Sequence, residues 1–130
     1  MLFINPKPLG KGRIDKKILT KDNFFKKPYG HCALGDYALY VGNEILEASH
    51  YVPFENIIRL YKRIEMPAGM DPRMAFMGGG KYYLVVEYDD DQLKQYEFKR
   101  EAAIDRLLEA IKEKADVKIG APYEKASKFM

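Results

Sequence analysis

Residues 33–64 read ALGDYALYVGNEILEASHYVPFENIIRLYKRI, and this stretch decides the fold. Near its start Tyr37, Leu39 and Val41 alternate with Ala38 and Tyr40, the period-two pattern of a strand buried mainly on one face. Gly42-Asn43 supplies a turn, since both residue types tolerate positive φ, and residues 44–51 supply a second strand. Two strands about a two-residue turn predict a hairpin. Pro53 interrupts the pairing. Residues 57–64 then predict a third strand, with Ile58, Leu60 and Ile64 on one face and Arg59 and Arg63 on the other.

Toward the C-terminus, residues 65–80 carry Pro67, Gly69, Pro72 and three consecutive Gly, so a long loop is expected, with room for a short edge strand at 73–77. Residues 82–88 (YYLVVEY) are the plainest strand, with Tyr82, Leu84, Val86 and Tyr88 on one face. Asp89-Asp90-Asp91 turns the chain into a partner strand at 93–98 whose Tyr96 and Phe98 point inward. From Lys99 the period changes to 3.6: Ala103, Ile104, Leu107, Leu108, Ile111 and Ala115 form one apolar stripe. Glu101 and Asp105 near its start and Lys112 and Lys114 near its end suit the helix dipole. A striped helix arriving after six or seven strands covers surface that a sheet would otherwise expose. The expected class is mainly β (α+β): a bent antiparallel β-sandwich or open barrel of about seven strands, closed by one C-terminal helix.

Toward the N-terminus the signal weakens. Residues 5–13 hold two Pro and two Gly and are expected to be irregular. Residues 14–27 have apolar positions whose spacing permits either a short helix or a strand. Charge is more informative here. The first thirty residues hold eight basic side chains against Asp15 and Asp22, a balance of +6, while the other hundred hold 14 basic and 17 acidic groups, a balance of −3. The expected division is therefore a basic lead-in at 1–29, a folded domain at 30–120 and a frayed tail at 121–130. A basic lead-in attracts anionic surfaces through its field, with Lys16, Lys17, Lys21, Lys26 and Lys27 as the candidate anion-binding residues.

The whole chain, 130 residues and 15.1 kDa, has the length of one domain. Seventeen of its residues are Tyr or Phe and none is Trp, a bias toward strands. Its one cysteine, Cys32, excludes an intrachain disulfide and a Cys-built zinc site. No leader-like or membrane-spanning apolar run is present, so a cytoplasmic location without a transmembrane segment is expected.

Motifs for chemistry fail on their spacing. Gly78-Gly79-Gly80-Lys81 is no phosphate loop, because Ala75 and Tyr82 stand where Gly and Ser/Thr are needed. Asp89-Asp90-Asp91 places carboxylates consecutively rather than alternately, with Lys94 at the position that needs Gly in a calcium loop, and reads as a solvated turn. His31 and Cys32 are adjacent and point to opposite sides of an extended chain, so His31 does not activate the thiol. His50 is placed to approach Cys32 only if strand register allows it. No cofactor, metal site or catalytic activity is expected. Met66, Met70, Met74, Phe76 and Met77 gather in the long loop, where adaptable side chains offer a partner-binding surface. Tyr61-Lys62-Arg63 interleaves aromatic and basic groups, but no RRM, KH or helix-turn-helix signature accompanies it, which places nucleic acid behind other partners.

The run from Ala33 to Ile64, with its Val52-Pro53-Phe54-Glu55-Asn56-Ile57 step, resembles the front half of a pleckstrin-homology-like (PH-like) domain of the GRAM and bacterial PH-like groups. YYLVVEYDDDQLKQYEFKREAAIDRLLEAI is similar to the last hairpin and closing helix of the same fold. The resemblance implies a seven-stranded bent sandwich without enzymatic activity that binds phosphoinositides, peptides or other domains. The basic pattern of the inositol-phosphate binders around the first hairpin is missing. The expected function is a non-catalytic binding or scaffolding module acting on a protein partner or on its own copies. The alternative is anion or membrane-surface binding, with weak anionic-lipid contact, through the basic N-terminal segment.

Overall fold

The computed structural model describes residues 6–42, 49–66 and 80–120. In chain order its elements are β1 (Lys7–Pro8), α1 (Lys16–Phe25), β2 (Lys27–Tyr29), β3 (Cys32–Leu34), β4 (Ala38–Gly42), β5 (Ser49–Pro53), a 3-10 turn (Phe54–Asn56), β6 (Ile57–Glu65), β7 (Lys81–Tyr88), β8 (Gln92–Phe98), α2 (Glu101–Lys114) and β9 (Lys118–Ile119). They form two sheets, ordered β1-β5-β4-β3-β2 and β8-β7-β6-β9. The class is mainly β with two α-helices, as expected in outline. Among the described residues there are nine strands rather than about seven, and a second helix, α1, near the N-terminus.

The main core lies between the inner faces of the sheets and under α2. Leu84 and Val86 of β7, Phe98 of β8 and Leu60 of β6 meet Leu39 and Val41 of β4 and Val52 of β5. The predicted helical stripe closes this core, with Ile104, Leu107 and Ile111 fully buried, and α2 touches β2 and β3 as well as β6, β7 and β8. Leu107→Ala therefore costs about 2–5 kcal/mol, through lost transfer energy plus the cavity left behind. The measurement is the urea midpoint.

Several expectations are corrected. Residues 33–41 are two strands, because Gly35-Asp36-Tyr37 turns the chain back and the Gly35 N–H donates to the Ala38 carbonyl. Tyr37, expected inside, is 55% exposed, while Ala38, Leu39, Tyr40 and Val41 are all buried, so β4 is covered on both faces. Its second cover is a separate cluster of Leu19, Ala33, Ala38, Tyr40 and Tyr51 beneath α1. Gly42-Asn43 is not the hairpin turn: Gly42 pairs with Ser49, which puts the connection at 43–48, outside the described residues. Of the strand expected at 44–51, residues 49–51 belong to β5, which runs on to Pro53 opposite Ala38. In β6 a register shift between Ile57 and Arg59 brings Ile57 and Leu60 to the core, while Ile64 is exposed. The edge strand expected at 73–77 lies outside the described residues.

Two short pairings were invisible to pattern reading. Lys7–Pro8, inside the stretch expected to be irregular, runs parallel to β5, and Lys118–Ile119 runs parallel to β6. Two residues cannot carry a period. The basic segment is thus built into the first sheet through β1 and β2. The acidic turn also does more than meet solvent. Asp89 and Asp90 adopt positive φ of 50° and 76°, which Asp tolerates better than most residues. The Asp89 carboxylate accepts from the Lys11 backbone N–H and from Asn56 Nδ2, tying the N-terminal segment to the second sheet. No helix among the described residues is long and apolar enough to cross a membrane.

Candidate functional site

The basic residues singled out by sequence meet on and just after α1. Asp15 starts this helix as its N-cap, accepting from the Lys17 N–H at 3.2 Å. Lys26 leaves it in an extended conformation, and Pro28 two residues later keeps Lys27 out of the helical region. Leu19 and Asp22, three residues apart, are the buried positions of α1 and face the first sheet.

Asp22 is a buried carboxylate with a full set of partners. It accepts from the Asp36 N–H at 2.6 Å, from the Tyr37 N–H at 3.2 Å and from the Tyr40 hydroxyl at 2.7 Å. The side chain thus caps the turn between β3 and β4 and fastens α1 to it. Burial, the hydrogen bond to Asp22 and the Asp22 charge all push the Tyr40 phenol above its ordinary range. Lys26 lies beside this network, 5.5 Å above the Tyr40 ring, with Nζ donating to the Asn23 Oδ1 and backbone carbonyl. Burial lowers the Lys26 pKa, and the Asp22 charge opposes that shift.

With Leu19 inward, a rotation of about 100° per residue turns Phe24, Lys17, Lys21, Phe25 and Ile18 outward along one arc of about 120°. Phe24 is 66% exposed and Phe25 75%, with Ile18 at 40% beside them. The two phenyl rings stack edge to face at 4.9 Å. Lys17, Ile18, Lys21, Phe24, Phe25 and Lys26 line a concavity of about 760 Å³. Lys16, Lys17, Lys21 and Lys27 are all exposed, and Lys27 lies 5.7 Å from the Tyr29 ring. The only acids within residues 15–27 are Asp15, used as a cap, and Asp22, turned inward. The outward face is thus cationic and aromatic at once.

The other candidates separate. Met66 is half-buried at the end of β6; Met70, Met74, Phe76 and Met77 lie outside the described residues. Cys32 is buried in the main core, and burial drives its thiol well above the ordinary range. The β3–β4 and β4–β5 registers put β4, at Val41, between Cys32 and His50, about two strand spacings or 10 Å apart. His31 turns instead onto the Phe98 ring at 5.8 Å. Among the described residues no group of three or more His, Cys, Asp or Glu is placed to hold a metal ion. Cys32 in the native chain is therefore expected to be inert to an aromatic disulfide reagent and to react once in denaturant; rapid native labelling would contradict its burial.

Charge alone locates the lysines, whereas in the sequence Phe24 and Phe25 are only two more of the apolar positions at 14–27. The available signal was the pair Leu19 and Asp22: once a helix is chosen with those two inward, adjacent phenylalanines have nowhere to point but out. No family model, no curated protein and no solved structure matches the chain.

Proposed function

We propose that this chain is a non-catalytic binding module that docks on anionic membrane surfaces through the outward face of α1. The observation that carries the reading is the exposed Phe24–Phe25 pair beside Lys17 and Lys21 on the outward arc of α1, with Lys16 at the start of the helix, Lys26 and Lys27 just past its end, and its inner face fixed to the sheet. Each half of that face fits one layer of a bilayer interface. Phenyl rings partition below the headgroups, while lysines each gain about 1 kcal/mol from an anionic leaflet. Neither half suffices alone, and two weak signals together make a stable yet reversible attachment.

A PH-like reading of the scaffold is part of the proposal. It is supported by the sequence of four antiparallel strands, β2 to β5, in one sheet, then β6 to β8 in another, then α2 over the core. The elements α1, β1 and β9 are additions to that plan, and the docking face belongs to the first of them. The protein-binding form of the function leans on the Met-rich loop, most of which lies outside the described residues; the geometry described here favours α1.

The test is co-sedimentation of the full chain with vesicles of mixed phosphatidylserine and phosphatidylcholine, and with phosphatidylcholine alone. Binding is expected to the anionic vesicles at low salt and not to the neutral ones. Raising salt to about 1 M, where the screening length is about 3 Å, should release most of the bound chain. Absence of binding to anionic vesicles at low salt, or binding indifferent to salt, overturns the proposal.

A further inference from the structure

The second sheet ends at β8, which pairs with β7 and, among the described residues, has no neighbour on its other side. An edge of this kind presents unused backbone donors and acceptors to any strand that can align with it. Gln92, Leu93, Lys94, Gln95 and Glu97 are exposed, and Leu93, at 53%, is the largest apolar group among them. The pairing with β7 runs without a break from Gln92 to Phe98, and this stretch holds no Pro, no Gly and no bulge to spoil a second partner.

The charges at the two ends of this strand are opposite. Asp90 and Asp91 precede it and Lys99 and Arg100 follow it. All four are exposed, and none forms an ion pair among the described residues. A strand that is acidic at its start and basic at its end is complementary to itself when turned antiparallel.

We propose that the free edge of β8 pairs with the same edge of a second copy of this chain, antiparallel about a two-fold axis at Gln95. The register follows from cross-strand charge. An axis at Gln95 sets Asp91 opposite the second copy's Lys99, twice over by symmetry. It also sets Lys94 opposite the second copy's Tyr96, a cation–aromatic pairing, and Gln95 opposite itself. An axis at Lys94 would face that lysine with its own copy, and one at Glu97 would face two glutamates. Like charges directly opposed are unfavourable, so these alternatives are selected against. The pairing uses neither α1 nor lipid, and it stands or falls apart from the membrane reading.

Two measurements on the full chain test it. With Cys32 buried, a cysteine introduced at the surface is the only accessible thiol. Gln95→Cys should give a disulfide-linked dimer on mild oxidation, because residues directly opposed have Cα atoms about 4.5–5.5 Å apart. Leu93→Cys should not, since its symmetry mate lies about 13 Å along the strand. Separately, Asp91→Lys and Lys99→Glu should each raise the dimer dissociation constant at least tenfold by sedimentation equilibrium. Mixed in equal amounts they should recover a heterodimer, since every charge pair is then restored across the axis. A parent chain that is monomeric at the highest soluble concentration overturns the proposal. So does equal cross-linking at 93 and 95, or a mixture of charge variants that stays monomeric.

Discussion

Phe24→Ser combined with Phe25→Ser lowers the affinity of the chain for anionic vesicles about a hundredfold and leaves its thermal midpoint unchanged. The first half of that result follows from transfer energetics. A phenylalanine taken fully out of water gains about 1.5–3 kcal/mol. Two that enter the interface only in part are worth together about 3 kcal/mol, or two powers of ten in affinity. The second half follows from exposure. With 66% and 75% of their surface already in solvent, these rings contribute little to the folded state. Lys17→Glu with Lys21→Glu weakens binding by a different route and makes a useful contrast. The charge variant flattens the salt dependence, whereas the phenylalanine variant lowers affinity at every salt concentration without changing its slope. A phenylalanine double variant that sediments with vesicles like the parent would refute the insertion of α1. A lower midpoint in the same variant would mean that the rings belong to the core.

The legible parts of this molecule are those in which a period runs long enough to be counted. The alternation of Tyr82, Leu84, Val86 and Tyr88 and the stripe through Ile104, Leu107 and Ile111 specify the centre of one sheet and the helix over it. The β4 strand is different. Its residues Ala38 to Val41 are buried on both faces, because Leu19 of α1 covers the side that a one-faced reading leaves to water. A strand inside two layers loses its alternation, and nothing local records the second layer. Gly35-Asp36 is a turn signal within the same run, masked by residues that alternate on both sides of it. Of the candidate site, the lysines announced themselves by charge alone. Their aromatic neighbours face outward only because α1 is a helix with Leu19 and Asp22 on its inner side, which no local period records.

Asp22→Ala is expected to be the most destabilising single polar substitution on α1, at about 3–5 kcal/mol. The carboxylate is the acceptor for the Asp36 and Tyr37 N–H groups and for the Tyr40 hydroxyl. Alanine leaves these donors facing apolar surroundings, and hydrogen bonds to a charged acceptor are worth about 1.5–3 kcal/mol each, with partial relief where water can enter. The thermal midpoint should fall by about 10–20 °C. Asp22→Asn keeps one acceptor oxygen but turns an amide N–H₂ toward donors, so its loss is smaller without being negligible. Gly35→Ala reaches the same carboxylate from the opposite side, because a Cβ at that position would overlap the Asp22 side chain. It changes no polar group, yet it should destabilise by about 2 kcal/mol by displacing the acceptor. Leu19→Ala removes packing from the same face of α1 and leaves the hydrogen bonds alone. If Asp22→Ala costs no more than Leu19→Ala, apolar contact rather than the carboxylate holds the helix. If it costs more, and vesicle affinity falls with it while Phe24 and Phe25 are intact, then the orientation of α1 is set from inside the fold, by one buried acid on the side of the helix opposite its cations and phenyl rings.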